Sequence, residues 1–176
     1  MKIPLDDIRE VPQTVAYVEP AEPLNQELGR GAGEFLMMDG LDVEVSHHRA
    51  GLDVFLDGTV RGEVRGTCAR CLNEYRFPLD AELALVLIPA STAAAPGGIV
   101  REDEIGLASY EGDEIDLTPL VHERALLALP IRGLCDEQCR GLCPQCGVNL
   151  NAGPCDCSAP ATDGRLAVLQ TMLRAR

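Results

Sequence analysis

From residue 42 the chain alternates with a period of two. Val43, Val45 and His47 share one face, against Asp42, Glu44 and Ser46 on the other. After a turn at Ala50-Gly51, Leu52, Val54 and Leu56 alternate with Asp53, Phe55 and Asp57, and Gly58 is read as the next turn. Val60, Gly62, Val64, Gly66 and Cys68 then line one side, with Arg61, Glu63, Arg65 and Thr67 opposite. Tyr75, Phe77, Leu79, Ala81, Leu83, Leu85 and Leu87 carry the pattern on to Ile88. One apolar face at period two predicts an antiparallel meander solvated on its other side. The first forty residues are rich in Pro and Glu and give weaker signals: an edge strand near 14–18 and another near 34–38.

Beyond residue 88 the period changes. Residues 89–99 (Pro-Ala-Ser-Thr-Ala-Ala-Ala-Pro-Gly-Gly-Ile) read as a linker, and the acidic stretch 102–116 holds little to bury. Leu117, Leu120, Val121, Arg124, Leu127 and Ala128 follow helical spacing, with Asp116 or Thr118 as cap, Pro119 in the first turn and Pro130 as terminator. Apolar neighbours nearly all round that helix predict that it packs across the sheet. A short last helix, Gly164 to about Leu173, turns Leu166, Leu169, Met172 and Leu173 to one side. The expected fold is α+β. An antiparallel β-meander or partial barrel is packed by a central helix, and a cysteine-rich, zinc-ribbon-like knuckle and the short helix follow it. The expected division is a β-rich core over 1–134, with 89–115 as linker or acidic loop, and a cysteine-rich tail over 135–176.

Composition narrows the function classes. The 176 residues include only three Phe, three Tyr and no Trp, so the core is aliphatic. No run of 18 apolar residues occurs and the N-terminus turns acidic at once, so a cytoplasmic protein without signal peptide or membrane span is expected. Net charge is −13, and residues 1–60 carry four basic against twelve acidic side chains. That is not the footprint of a free-standing RNA binder. The acid excess serves solubility first; beyond that a protein partner is the expectation, with any RNA reached through a local arginine patch, Arg61, Arg65, Arg70 and Arg76.

All eight cysteines are clustered: Cys68 and Cys71 as C-x-x-C, then Cys135, Cys139, Cys143, Cys146, Cys155 and Cys157 within 23 residues. Thiolates are soft ligands and four complete a tetrahedral shell around zinc, so eight make two closed sites with no open catalytic position. Cys143-Pro-Gln-Cys146-Gly147 has the form of a zinc knuckle, in which Pro presets φ and Gly permits a left-handed residue. The first C-x-x-C falls at a turn between strands, where amide N–H groups can face the sulfurs and Arg70 can offset their charge. The preferred pairing joins Cys143, Cys146, Cys155 and Cys157 at one zinc, and Cys68, Cys71, Cys135 and Cys139 at the other. The rival builds one site from Cys135, Cys139, Cys143 and Cys146, and leaves Cys155 and Cys157 with the meander pair. Four-cysteine sites also suit iron–sulfur clusters, but knuckle form favours zinc. Disulfides would need an oxidising compartment. A thiol-redox or metal-sensing role for Cys68 and Cys71 is the competing function, although a redox C-x-x-C opens a helix and this one lies between strands. His47, His48 and His122 read as structural or solvated, and no P-loop, G-x-S-x-G or G-x-G-x-x-G occurs.

A G-x-V-x-G strand leading into TCARCL and EYRFPLDAEL, then EIDLTPLVHERALLALPIRGLC, CRGLCPQCGVNLN, CDC and DGRLAVLQTML, resembles the YceD-like family. Its members are called large ribosomal RNA subunit accumulation proteins. The likeness spans roughly 43–88 and 113–173. It implies a non-enzymatic cytoplasmic factor in accumulation, processing or assembly of large-subunit RNA, with no catalytic residues to carry over. The partners it implies are a ribosomal precursor particle or a basic ribosomal protein, and no membrane or small-molecule substrate. The cysteine tail is not always present in the family, so the shared role does not rest on metal.

Overall fold

A computed structural model describes residues 1–29, 35–93 and 106–157. Strands β1 (Lys2–Pro4), β2 (Gln13–Glu19), β3 (Phe35–Met37), β4 (Leu41–Ala50), β5 (Asp53–Thr67), β6 (Glu74–Pro89), β7 (Leu107–Tyr110) and β8 (Glu114–Asp116) alternate with three helices, α1 (Ala21–Gly29), the single turn α2 (Ala90–Ala93) and α3 (Leu117–Ala128). The fold is α+β, with an open sheet in the order β2-β4-β5-β6-β7, β3 pairing β5, and β1 pairing β8 separately.

The long hairpin of β5 and β6 dominates, with an unbroken register from Val54↔Leu87 to Thr67↔Glu74. Val54, Leu56, Val60 and Val64 on β5 and Leu79, Leu83 and Leu87 on β6 are buried, as the alternation predicts. Gly58 corrects the expectation of a turn: it lies inside β5, opposite Val45 and Leu83. Its parity is that of the inward residues, and a Cβ there would come 2.1 Å from the Glu44 carbonyl oxygen. Glycine serves close approach of two backbones here, not reversal. The reversal lies at Gly51, with φ +67, and leaves Leu52 exposed.

Residues 107–116 correct the reading of an acidic loop with little to bury. β7 runs parallel to β6, from Val86↔Leu107 to Pro89↔Tyr110, so the sheet is mixed, and Ile115 of β8 is buried. Segments of three and four residues are too short to show a period, and only their partners make them strands. The last helix of the sequence reading lies outside the described residues.

Helix α3 starts where Asp116 accepts from the Thr118 N–H at 3.0 Å. It packs on β6 and touches β5 and β1. Its buried face is Leu117, Val121, His122 and Ala125, whereas Leu127 is 68% exposed, contrary to the spacing argument. The apolar residues of this helix are not gathered on one side, so the sheet's position selects the face. The N-terminal strand closes this end, because Met1 O accepts from Leu117 N and the Met1 ammonium lies 3.6 Å from the buried Glu19 carboxylate. His122, buried on α3, holds its Nε2 3.7 Å from the same carboxylate.

Candidate metal centre

The turn joining β5 to β6 and the turn at Cys143–Val148 are built alike. In the first, Cys68 N–H donates to Asn73 O (2.9 Å) and Leu72 N–H to Cys68 O (2.9 Å). In the second, Cys143 N–H donates to Val148 O (2.8 Å) and Gly147 N–H to Cys143 O (2.9 Å). The residue after each second cysteine is left-handed, Leu72 at φ 61 and Gly147 at φ 75. Two knuckles of one design therefore sit 75 residues apart in numbering, and the first hides its glycine position behind a leucine.

Each knuckle gathers two further cysteines. Cys68, Cys71, Cys135 and Cys139 bring their sulfurs within 4.8 Å of one another, and so do Cys143, Cys146, Cys155 and Cys157. This is the first of the two groupings weighed on sequence. Cys68 Sγ lies 3.8 Å from Cys139 Sγ, and Cys71 Sγ lies 3.6 Å from Cys135 Sγ. A tetrahedral ion with bonds of about 2.3 Å requires sulfurs about 3.8 Å apart, whereas a disulfide requires about 2.05 Å. The spacing thus suits a shared metal ion.

Surrounding groups aim donors at the sulfurs. Arg70 N–H faces Cys68 Sγ at 3.5 Å, and the Asn151 amide donates to Cys139 Sγ at 3.3 Å. Asn151 is itself fixed, its Oδ1 accepting from Arg140 N–H at 2.7 Å and its amide donating to Asn149 Oδ1 at 2.9 Å. The Arg70 guanidinium donates to the carbonyls of Glu137 (2.9 Å) and Cys139 (2.8 Å), tying the tail to the hairpin. Asn149 and Asn151 had no sequence signal beyond their place between cysteines.

The thiols of each quartet are pushed apart in acidity. Burial, the largest influence on Cys68, raises its pKa, but the N–H groups of Cys135, Cys71 and Arg70 together bring it down to about 6. The N–H groups of Cys146 and Gln145 likewise bring Cys143 to about 6. Cys135 beside the Cys68 sulfur, and Cys157 beside that of Cys146, are pushed up to about 12. Four negative sulfurs at these distances repel, so a quartet without a cation keeps protons that a divalent ion would displace.

Burial differs between the two sites. Cys68, Cys71 and Cys139 are 0%, 3% and 5% exposed, under Tyr75, Leu134 and Leu142. In the second quartet only Cys143 is buried. A pair closed off under the tail is not presented to a partner thiol, as a redox C-x-x-C would be.

Three of the four candidate arginines share one face of the sheet, Arg65 directly opposite Arg76, and each is paired with an acid. Arg61 pairs with Asp80 (3.4 Å), Arg65 with Glu74 (3.6 Å) and Arg76 with Glu63 (3.5 Å), all on the outer face of the sheet. Arg70 is turned to the tail carbonyls.

A family described as "Large ribosomal RNA subunit accumulation protein YceD" matches residues 56–173, which include most of the β5–β6 hairpin, α3 and all eight cysteines. This chain belongs to the YceD family. Among its relatives, the uncharacterized protein Rv2926c of Mycobacterium tuberculosis is 35% identical over 65% of this chain and 53% of its own length. YlbN of Bacillus subtilis, also uncharacterized, is 30% identical over 69% of this chain and 67% of its own. The Arabidopsis thaliana chloroplastic large ribosomal RNA subunit accumulation protein YCED homolog 1 is 38% identical over 71% of this chain and 46% of its own. The chain thus spans about half the length of several curated relatives it matches. No solved structure matches this YceD-family chain. Among its described residues, no helix is long and apolar enough to cross a membrane.

Proposed function

We propose that this protein is a non-enzymatic factor in the accumulation and assembly of large-subunit ribosomal RNA, held in shape by two zinc ions. The observation that carries this reading is the family match over residues 56–173. Cys68, Cys71, Cys135 and Cys139 would hold one ion, and Cys143, Cys146, Cys155 and Cys157 the other. Zinc bound there supplies cross-linking: the first site joins the β5–β6 turn to the tail, and the second closes the tail on itself. Four thiolates at each site leave no coordination position for a substrate, which favours a binding module over a metal-dependent catalyst.

The partner is a ribosomal precursor particle or a basic ribosomal protein, met in the cytoplasm, where ribosomes assemble and thiols stay reduced. A net charge of −13 favours a basic protein surface as first contact. RNA contact falls to Arg65 and Arg76, which lie opposite each other on β5 and β6, whereas Arg61 borders acidic residues. The exposed ion pairs of Arg65 and Arg76 are worth at most about 1 kcal/mol, so a phosphate can replace the carboxylate at little cost. Arg70 belongs to the metal site. Sucrose-gradient sedimentation tests the reading: the chain should travel with precursor large subunits, and a deletion strain should lose large-subunit RNA. Normal RNA levels in that strain would sink it.

A further inference from the structure

Strand β2 is an edge. It pairs with β4 through seven consecutive positions, from Gln13↔His47 to Glu19↔Leu41, and among the described residues no strand lies on its other side. Exposed edges are usually guarded by lysine, proline or a bulge. This one has none of these between residues 13 and 19, and its outward side chains are Thr14, Ala16 and Val18, the last 62% exposed.

A groove of about 350 Å³ lies over Ala16 and Val18 and is bounded by Asp42, Glu44, Thr59 and Arg61. A second hollow of about 280 Å³ shares Glu44, Thr59 and Arg61 and extends to Asp57. Among the described residues Arg61 is the one cation here and pairs with Asp80, and Asp42, Glu44, Asp57 and the neighbouring Glu82 form no ion pair. The floor is low and apolar, and the far wall is acidic.

We propose that the open β2 edge and this groove receive an extended lysine- and arginine-rich segment of a protein partner, added as a further strand of the sheet. Its backbone would take the free N–H and C=O groups of β2. A strand there lies about 4.8 Å from β2 and about twice that from β4. Long basic side chains cross the small residues of β2 to reach Asp42 and Glu44, which short or acidic ones cannot do. RNA is disfavoured in this groove, because its unpaired groups are carboxylates.

The reading of this protein as a ribosome factor supplies the source of such a segment, and the inference rests on it for that alone. The test uses the zinc-loaded full chain, a synthetic extended Lys/Arg-rich peptide, and the same peptide N-methylated at alternate residues. Titration calorimetry should show binding that falls about tenfold for the double variant Asp42→Asn/Glu44→Lys, and about tenfold again on N-methylation. Amide exchange should slow along residues 13–19. Equal affinity for the variant, or indifference to N-methylation, overturns the proposal, as does single-stranded RNA protecting those amides in place of the peptide. The two readings fail separately. A chain that binds the peptide but never sediments with precursor subunits keeps the groove and removes the ribosomal role; one that sediments but ignores the peptide does the reverse.

Discussion

Leu72 occupies a backbone conformation that its counterpart, Gly147, adopts without strain. A left-handed leucine costs about 1 kcal/mol, because its Cβ crowds the neighbouring carbonyl. The side chain recovers little of this by burial, being 64% exposed. Leu72→Gly should therefore raise stability by a few tenths to about 1 kcal/mol in urea unfolding of the metal-loaded chain, with metal content unchanged. A loss of similar size would mean that the leucine is held for its packing. The same residue explains a gap in legibility: C-P-x-C-G announces a knuckle, whereas Cys68-Ala-Arg-Cys71-Leu72 announces only a C-x-x-C. Backbone hydrogen bonds, which the second knuckle shares with the first, carry the likeness.

Strand β5 shows what a glycine means at the scale of an element. Gly58, Gly62 and Gly66 lie on its inward face at every fourth position. At Gly62 a Cβ would meet the Leu41 side chain at 2.7 Å, and at Gly66 the Phe35 and Tyr75 rings at 3.1 Å. Side-chain neighbours such as these have some room to shift. Gly58 faces backbone instead, the Glu44 carbonyl at 2.1 Å and Val45 Cα at 2.8 Å, and backbone within a ladder yields only by breaking its pairing. Gly58→Ala should thus destabilise by about 2 kcal/mol or more, as overpacking does, while Gly29→Ala, with nothing within 4 Å, should be neutral or slightly stabilising. Thermal unfolding of both variants checks this, and equal melting temperatures would refute the close-approach account.

For the whole molecule, the two quartets divide the tail's attachment from its internal closure. On the proposed pairing, Cys68→Ser removes a ligand that spans hairpin and tail, and Cys143→Ser removes one wholly within the tail. Each variant should lose one zinc of two by elemental analysis. Only Cys68→Ser should free residues 133–142 from the hairpin, exposing Tyr75 and Leu142 to solvent and lowering the melting temperature of the sheet. Loss of both ions from either variant would show that the sites are not separate. The rival grouping predicts another pattern, since Cys143→Ser would then strike a site shared with Cys135 and Cys139.

Alternation along 43–88 by itself determined the main strands and their buried faces, because a two-residue period in a half-buried sheet permits one assignment of inside and outside. Capping residues determined where α3 begins, and the count of cysteines determined that two four-ligand sets were available. Tertiary structure alone decided which cysteines meet, since 64 residues separate Cys71 from Cys135 and spacing says nothing across such a distance. It alone made strands of β7 and β8, too short to carry a period, and chose the buried face of a helix whose apolar residues are spread around it. It also decided that Arg70 serves the tail, and that the acid excess includes a groove beside an open edge. Local pattern records what a residue prefers; which partner it meets is settled by the folding of distant segments onto one another.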